Sequence, residues 1–136
     1  AQALYLVQRP GNFDVLVTEN MFGDILSDLG AGLVGGMGMA PSADIGPKHA
    51  VFQPAHGTAP DIAGKGIANP IAMLLSFAMC LRYSFAMTDE ADLIEAAARR
   101  VLDLGLRTGD IMGPGKTLVS TRAMGGALIA EMDKTG

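Results

Sequence analysis

Stretches that favour β-strands are few and short in this sequence, whereas helical signals recur along most of its length. The runs 13–18 and 50–53 predict buried strands because they are rich in β-branched and aromatic residues. Apolar spacing and capping residues predict helices at 1–8, 21–36, 70–85, 88–105 and 121–134. This pattern predicts an α/β fold with too few strands to complete a sheet, flanked by helices.

The composition narrows the class of protein. The chain has 136 residues and is 49% apolar, which suits a packed domain, and its net charge of −4 without a basic patch argues against nucleic acid as a partner. No apolar run is long enough to span a membrane, and no signal peptide is visible. The single Cys80 rules out an intramolecular disulfide and favours a reducing, cytoplasmic location. Because the sequence starts within a helical pattern and without Met, we expect a piece of a longer protein.

Asp24 and Asp28 are four residues apart on the predicted helix 21–36, for which Asn20 is the expected N-cap. That spacing places both carboxylates on one helix face, where they repel each other unless a cation lies between them. A hard divalent metal is such a cation, although Mg²⁺ wants about six oxygen ligands and two carboxylates are an incomplete site. The alternative is an ordinary acidic face on a solvated helix. Phe22, Ile25, Leu26, Leu29 and Leu33 form an apolar stripe on the same helix, which predicts a helix bundle or a subunit interface.

The Gly- and Pro-rich segment 54–68 is unusually long for a loop in a compact domain, and such loops are often functional. His56 is followed by Gly57, Thr58 and Ala59, whose backbone N–H groups could cradle a nucleotide. If the loop holds a dinucleotide, Asp61 could accept hydrogen bonds from a ribose diol and would repel a 2′-phosphate, which favours NAD over NADP. Simpler alternatives are open for both residues: His56 could be a turn histidine that is hydrogen-bonded to the backbone, and Asp61 could cap a turn.

Two motifs together resemble the isocitrate/3-isopropylmalate dehydrogenase family of metal-dependent β-decarboxylating dehydrogenases. One runs from Asn20 to Asp28 (Asn-Met-Phe-Gly-Asp-Ile-Leu-Ser-Asp), and the other runs from His56 to Asn69-Pro70 (His-Gly-Thr-Ala-Pro-Asp-Ile-Ala-Gly-Lys-Gly-Ile-Ala-Asn-Pro). The resemblance implies the C-terminal part of an isopropylmalate dehydrogenase-like fold. Residues 1–38 would then end the metal-binding and dimerisation domain, and 39–136 would be the C-terminal part of the cofactor-binding domain.

The resemblance also implies roles for individual residues. Asp24 and Asp28 match two ligands of Mg²⁺ or Mn²⁺, and helix 21–36 matches part of a helical bundle that forms a homodimer. The matches to the loop that holds the adenosine half of NAD are His56, Gly57, Thr58, Ala59, Asp61, Ile62 and Asn69. The third metal aspartate, the proton-transferring Lys and Tyr and the substrate-binding Arg residues have no match here, so no catalytic residue is assigned and the fragment alone is expected to be inactive.

The activity implied is oxidative decarboxylation of a 2-hydroxy acid that carries a β-carboxylate, with NAD as the oxidant and 3-isopropylmalate as the favoured substrate. Isocitrate, homoisocitrate and tartrate or malate are open alternatives within the family. Two other classes of function are also open: a non-catalytic subunit or assembly fragment, and a nucleotide-binding domain without redox chemistry.

Overall fold

The computed structural model describes residues 1–134, which form five helices and four short strands. The helices are α1 (Gln2–Gln8), α2 (Asn20–Leu33), α3 (Ile71–Phe85), α4 (Thr88–Asp103) and α5 (Thr121–Asp133). The strands are β1 (Pro41–Ile45), β2 (Ala50–Pro54), β3 (Leu106–Arg107) and β4 (Thr117–Leu118). Short 3₁₀ turns occupy Pro10–Asn12 and Gly109–Ile111. The predicted α/β class is confirmed.

Strands β1 and β2 form an antiparallel hairpin, in a register that pairs Pro41 with Pro54 and Ile45 with Ala50. The amide of Gly46 donates to the carbonyl of His49 (2.9 Å) and closes the turn. Strand β2 confirms the prediction at 50–53, whereas β1 was not predicted. Its sequence, Pro-Ser-Ala-Asp-Ile, contains residues that are poor in strands, so pairing with β2 decides its conformation.

The strand predicted at 13–18 is wrong. Those residues are irregular, and Val15 and Val17 are 79% and 95% exposed. A strand needs a neighbour for its backbone hydrogen bonds, and no segment within residues 1–134 pairs with this run. A β-rich composition therefore does not produce a strand here.

Helices α3, α4 and α5 enclose the main core. Ile71 of α3 and Val101 of α4 pack with Met124 and Leu128 of α5, and all four side chains are almost fully buried. A second cluster joins α3 and α4 through small and aliphatic residues: Ala78, Leu81, Ala91 and Ile94. The core is aliphatic and contains Met, as the scarcity of aromatic residues requires.

Two features fix the turn between α3 and α4: ion pairs made by Arg82, and a residue in the left-handed conformation at the end of α3. Arg82 donates to Asp92 Oδ1 (2.8 Å) and to Glu95 Oε1 (2.7 Å), so one residue of α3 bridges two of α4. The Asp92 and Glu95 carboxylates hold the pKa of Arg82 above its ordinary value. Ala86 ends α3 in the left-handed conformation (φ 56°). These contacts orient α4 for packing against α5.

Helix α2 begins one residue earlier than predicted. Asn20 is its first residue rather than its cap, because the amide of Gly23 already donates to the carbonyl of Glu19 (2.9 Å). The helix stops at Leu33, before Gly35 and Gly36, which adopt positive φ and end the predicted 21–36 segment early. None of the helices within residues 1–134 combines the length and apolarity that a membrane span needs.

The two domains, 1–38 and 39–136, stay a prediction. Helices α1 and α2 pack against each other, whereas α3, α4, α5 and the hairpin form the second group of contacts. The chain passes from one group to the other near Gly38, whose carbonyl accepts from the amide of Ala72 (2.9 Å). Residues 135 and 136 of the second predicted domain lie outside the described residues.

Candidate functional site

The segment between β2 and α3 is a loop, as predicted, and local turns shape it. The amide of Ile62 donates to the carbonyl of Ala59, and the amide of Lys65 donates to that of Ile62 (both 3.1 Å). Ala59 has φ 43°, which is uncommon for a residue other than glycine and often marks a functional loop. Most of the loop is exposed, so it forms a surface that can meet a ligand.

A solvent-accessible cavity of about 720 Å³ lies under this loop. Six of the seven residues predicted to hold a cofactor line it: His56, Gly57, Thr58, Ala59, Ile62 and Asn69. The structure therefore brings the predicted loop residues together around one space. Asp61 is exposed and is not among the lining residues, although its neighbour Ile62 is.

His56 hydrogen-bonds to the backbone, as the simpler of its two interpretations predicts. Its Nδ1 lies 2.8 Å from the carbonyl oxygen of Gly57. Because a carbonyl oxygen only accepts, Nδ1 carries the proton and donates, which leaves Nε2 as an acceptor in the neutral ring. The hydrogen bond fixes the ring at the edge of the cavity without using up its second nitrogen.

Asn69 joins the loop to two distant parts of the chain. Its side-chain oxygen accepts from the amide of Ile71 (3.0 Å) and so satisfies a donor at the start of α3. Its Nδ2 donates to Asp110 Oδ2 (3.1 Å) and contacts the sulfur of Met39 (3.4 Å). The side chain is buried and satisfied, so the geometry of this wall of the cavity is fixed.

Several lining residues were not predicted from the sequence. None of these five was among the predicted site residues: Met37, Gly38, Gly109, Asp110 and Thr121. They reach the cavity from the segment before β1, the 3₁₀ turn and the start of α5. The signal that could have found Asp110 is its polar pattern, Thr108-Gly109-Asp110, next to a loop. Its partner 41 residues away cannot be inferred from spacing alone.

The cavity fits a nucleotide in its chemistry. The amides of Gly57, Thr58 and Ala59 make no backbone hydrogen bond within residues 1–134, so they are available as donors. Such free amides bind phosphate and hydroxyl oxygens. Glycine and alanine dominate the walls, which allows close approach to the backbone. The residues present are therefore compatible with part of a dinucleotide.

The carboxylate pair lies elsewhere, on α2. Asp24 and Asp28 are one helical turn apart and exposed, and neither forms an ion pair with another residue of 1–134. No group of three or more His, Cys, Asp or Glu residues within the described chain is arranged to hold a metal ion. The pair is thus free to bind a cation but supplies only two of the ligands that Mg²⁺ requires.

Comparison with known proteins agrees with this architecture. The sequence profile described as "Isocitrate/isopropylmalate dehydrogenase" matches residues 1–128. The 3-isopropylmalate dehydrogenase of Paramagnetospirillum magneticum is 59% identical over 97% of this chain and 37% of its own length. That of Mesorhizobium japonicum is 58% identical over 96% of this chain and 38% of its own.

Two solved structures are similar throughout the chain. The isocitrate dehydrogenase of Methylococcus capsulatus superposes with a TM-score of 0.87 and 45% identity, over 96% of this chain and 38% of that protein. A β-decarboxylating dehydrogenase of Thermococcus kodakarensis, in its apo form, superposes with a TM-score of 0.84 and 41% identity. The match covers 98% of this chain and 38% of that protein. The chain belongs to the isocitrate/isopropylmalate dehydrogenase family. It spans about 37% of the length of the curated relatives it matches.

Proposed function

We propose that the whole protein carrying this chain oxidises and decarboxylates a 2-hydroxy acid bearing a β-carboxylate, with 3-isopropylmalate as the favoured substrate. The observation that carries the proposal is the convergence of the loop residues His56, Gly57, Thr58, Ala59, Ile62 and Asn69 on one cavity, in a chain of this family. The favoured substrate is supported by relatives described as 3-isopropylmalate dehydrogenases that are 54–59% identical.

We propose NAD as the cofactor, bound along the 56–69 loop. The free amides of Gly57, Thr58 and Ala59 would donate to its oxygens, while the buried Asn69 keeps the wall behind them in place. The Asp61 carboxylate, at the exposed edge of the loop, would accept from the ribose hydroxyls and repel a 2′-phosphate. When bound, NAD supplies the acceptor for the hydride that leaves the hydroxyl carbon.

We propose that Asp24 and Asp28 bind Mg²⁺ or Mn²⁺ together with oxygens from the substrate, water and other parts of the protein. When bound, the metal supplies a Lewis acid that stabilises the enolate oxygen formed on loss of CO₂. The two carboxylates would hold and orient it from one face of α2, which they share because of their four-residue spacing. The proton-transferring groups are to be sought outside these residues.

Isocitrate is the competing substrate, because a solved isocitrate dehydrogenase superposes on nearly the whole chain. The experiment is a panel of 3-isopropylmalate, isocitrate, homoisocitrate, tartrate and malate with the purified whole protein, with NAD or NADP and with Mg²⁺, Mn²⁺ or EDTA. We expect the highest kcat/KM with 3-isopropylmalate and NAD, and loss of turnover in EDTA. Higher kcat/KM with isocitrate would move the assignment to the other branch of the family.

The two assigned sites are tested in the same protein. Asp24→Asn should raise the Mg²⁺ concentration needed for half-maximal activity and lower kcat, whereas Asp44→Asn, an exposed carboxylate on β1, should change neither. Asp61→Lys should raise the KM for NAD, with Asp103→Lys on the exposed side of α4 as the control. Unchanged activity of Asp24→Asn at limiting Mg²⁺, or an unaltered KM in Asp61→Lys, would contradict the respective assignment.

We also propose that α2 contributes to a homodimer, because part of its apolar stripe is exposed in the described chain. Phe22, Ile25 and Leu33 are 55%, 59% and 45% exposed. A non-catalytic assembly subunit is the alternative that this surface favours. Dimerisation without turnover on any substrate of the panel would support that alternative over the enzyme.

A further inference from the structure

Thr121, the first residue of α5, forms two hydrogen bonds to the backbone of the proposed cofactor loop. The amide of Thr121 donates to the carbonyl of Gly66 (2.9 Å), and its hydroxyl donates to the carbonyl of Ala68 (2.5 Å). One residue thus binds two carbonyls in the loop that lies more than 50 positions before it, separated by 53 residues in the case of Ala68. Neither bond lies within a helix or strand, so both join the start of α5 directly to the loop.

The loop around the first of these bonds includes two glycines in open space. Gly64 and Gly66 adopt φ of 75° and 66°, and an added Cβ at either would meet no atom within 4 Å. Glycines in open space are free to change conformation, and a ligand that must order such a segment loses affinity to conformational entropy. A contact that orders the segment before the ligand binds removes this entropic cost from the binding free energy.

The two bonds also set the direction of neighbouring donors. In a trans peptide the N–H points opposite to the C=O of the same unit. Because Thr121 holds the carbonyls of Gly66 and Ala68 on the side of α5, the N–H groups of Ile67 and Asn69 are held pointing away from it. Ile67, Asn69 and Thr121 all line the cavity. The two hydrogen bonds from Thr121 therefore orient backbone groups in the wall that a ligand would contact.

We propose that Thr121 is a positioning residue that pre-organises the 66–69 segment for nucleotide binding. The inference rests on the proposed function, since it takes the cavity to be the NAD site. Thr121 acts through the loop peptides, and its effect falls on the affinity for the nucleotide rather than on the chemical step.

Three substitutions separate its two donors. Thr121→Val removes the hydroxyl and keeps the amide, and Thr121→Ser keeps both. Thr121→Pro removes both while suiting the helix, because Pro is favoured at the first helical position. Its ring also requires an extended preceding residue, and Ser120 has φ −75° and ψ 165°.

The measurement is the dissociation constant of the whole protein for NAD and for adenosine 5′-phosphate, by calorimetry. We expect Thr121→Val to weaken binding by about twofold to tenfold, the range of one lost hydrogen bond, and Thr121→Pro by about tenfold or more. Thr121→Ser should restore wild-type affinity. kcat at saturating NAD should stay within about twofold of wild type, and amide exchange at 64–69 should quicken in proportion to the loss of affinity.

Ser120→Ala is the matched control. Ser120 caps α5 by accepting from the amide of Ala123 (3.2 Å), so its loss loosens the helix without removing either bond to the loop. We expect a lower melting temperature with unchanged nucleotide affinity. If Ser120→Ala weakens nucleotide binding as much as Thr121→Val, the effect comes from helix stability and the inference is overturned.

The inference and the proposed function fail in different ways. If the wild-type protein binds NAD and Thr121→Pro binds it equally well, the positioning role is refuted and the NAD site stands. If the wild-type protein binds neither NAD nor adenosine 5′-phosphate, the nucleotide site itself is refuted, and the inference with it.

Discussion

Gly38 lies where the wall of the cavity leaves no room for a side chain. A Cβ on it would come within 2.4 Å of Asp110 Oδ2 and 2.8 Å of the Cβ of Asn69. Both atoms belong to residues that are hydrogen-bonded to each other, so a shift that relieves the clash would disturb that bond. The position therefore requires glycine because of close approach rather than because of its backbone conformation.

We expect Gly38→Ala to lower the free energy of unfolding by about 1–3 kcal/mol, the usual range for overpacking. The added methyl group should also separate Asn69 from Asp110 and weaken nucleotide binding. Urea unfolding and the NAD dissociation constant are the measurements. Gly126→Ala is the matched control, since this exposed glycine within α5 has nothing within 4 Å of an added Cβ. That control should raise the free energy of unfolding by about 0.5–1 kcal/mol. Equal effects of the two substitutions would show that Gly38 is not crowded.

The Asn69–Asp110 pair gives a second prediction at this scale. Asn69→Asp would keep the acceptor for the amide of Ile71 but place a carboxylate where Nδ2 now donates to Asp110. We expect a loss of about 1–3 kcal/mol in the free energy of unfolding, as for other unsatisfied buried groups. Adding Asp110→Asn should recover most of it, because the donor then comes from position 110. A double variant no more stable than Asn69→Asp would show that the two side chains do not interact.

Which individual residues form the site could be predicted in part. Local motif chemistry pointed to the 56–69 loop, since Gly-Thr-Ala offers free amides whatever the rest of the fold does. Gly38, Asp110 and Thr121 were missed because each is defined by a contact with a residue far along the chain. Such contacts depend on how α3 and α5 pack, which no single-sequence spacing reveals.

Among the elements, the end of α3 shows how a helix boundary is fixed. Ala86 has φ 56°, and the following amide, of Met87, donates back to the carbonyl of Leu81 (3.0 Å). A residue that ends a helix in the left-handed conformation is usually glycine. Alanine in the left-handed conformation costs about 1–2 kcal/mol.

We expect Ala86→Gly to stabilise the protein by about 0.5–1 kcal/mol, since relief of that strain exceeds the added entropy of the unfolded chain. Thermal and urea unfolding are the measurements. Ala96→Gly, within α4, is the control, and it should destabilise by about 1 kcal/mol because its backbone is helical. Destabilisation by Ala86→Gly would mean that the turn does not strain alanine.

The helices were better predicted from the sequence than the strands. Helices α3, α4 and α5 each carry their own start signals, such as Asn69-Pro70 and the acids after Thr88, so local sequence suffices. Strands, in contrast, depend on a neighbouring strand. Strand β1 forms because β2 pairs with it, whereas residues 13–18 form no strand because no segment within residues 1–134 pairs with them. The very short β3 and β4 lie between the predicted helices 88–105 and 121–134, where no strand was predicted.

At the scale of the whole molecule, apolar surface is concentrated on α1, α2 and the segment between them. Leu4 and Val7 on α1 are 55% and 53% exposed, and Phe22 and Ile25 on α2 are also more than half exposed. Helices α1 and α2 pack against each other, and exposed apolar side chains grouped on adjacent elements mark an interaction surface in a stable protein. The chain spans 37% of the length of its first curated relative, so two partners are available to cover this surface: the rest of the whole protein, or the second copy proposed above.

The dimer proposal predicts a change of mass on charging that surface. We expect Ile25→Lys in the whole protein to shift sedimentation from dimer to monomer, because a buried ammonium without a partner is strongly unfavourable. Ile129→Lys is the control: Ile129 is 58% exposed on α5, close to the 59% of Ile25, but on the other group of packed elements. It should leave the dimer intact. A monomeric wild-type protein, or an Ile25→Lys variant that stays dimeric at low micromolar concentration, would contradict the role of α2 in a dimer interface.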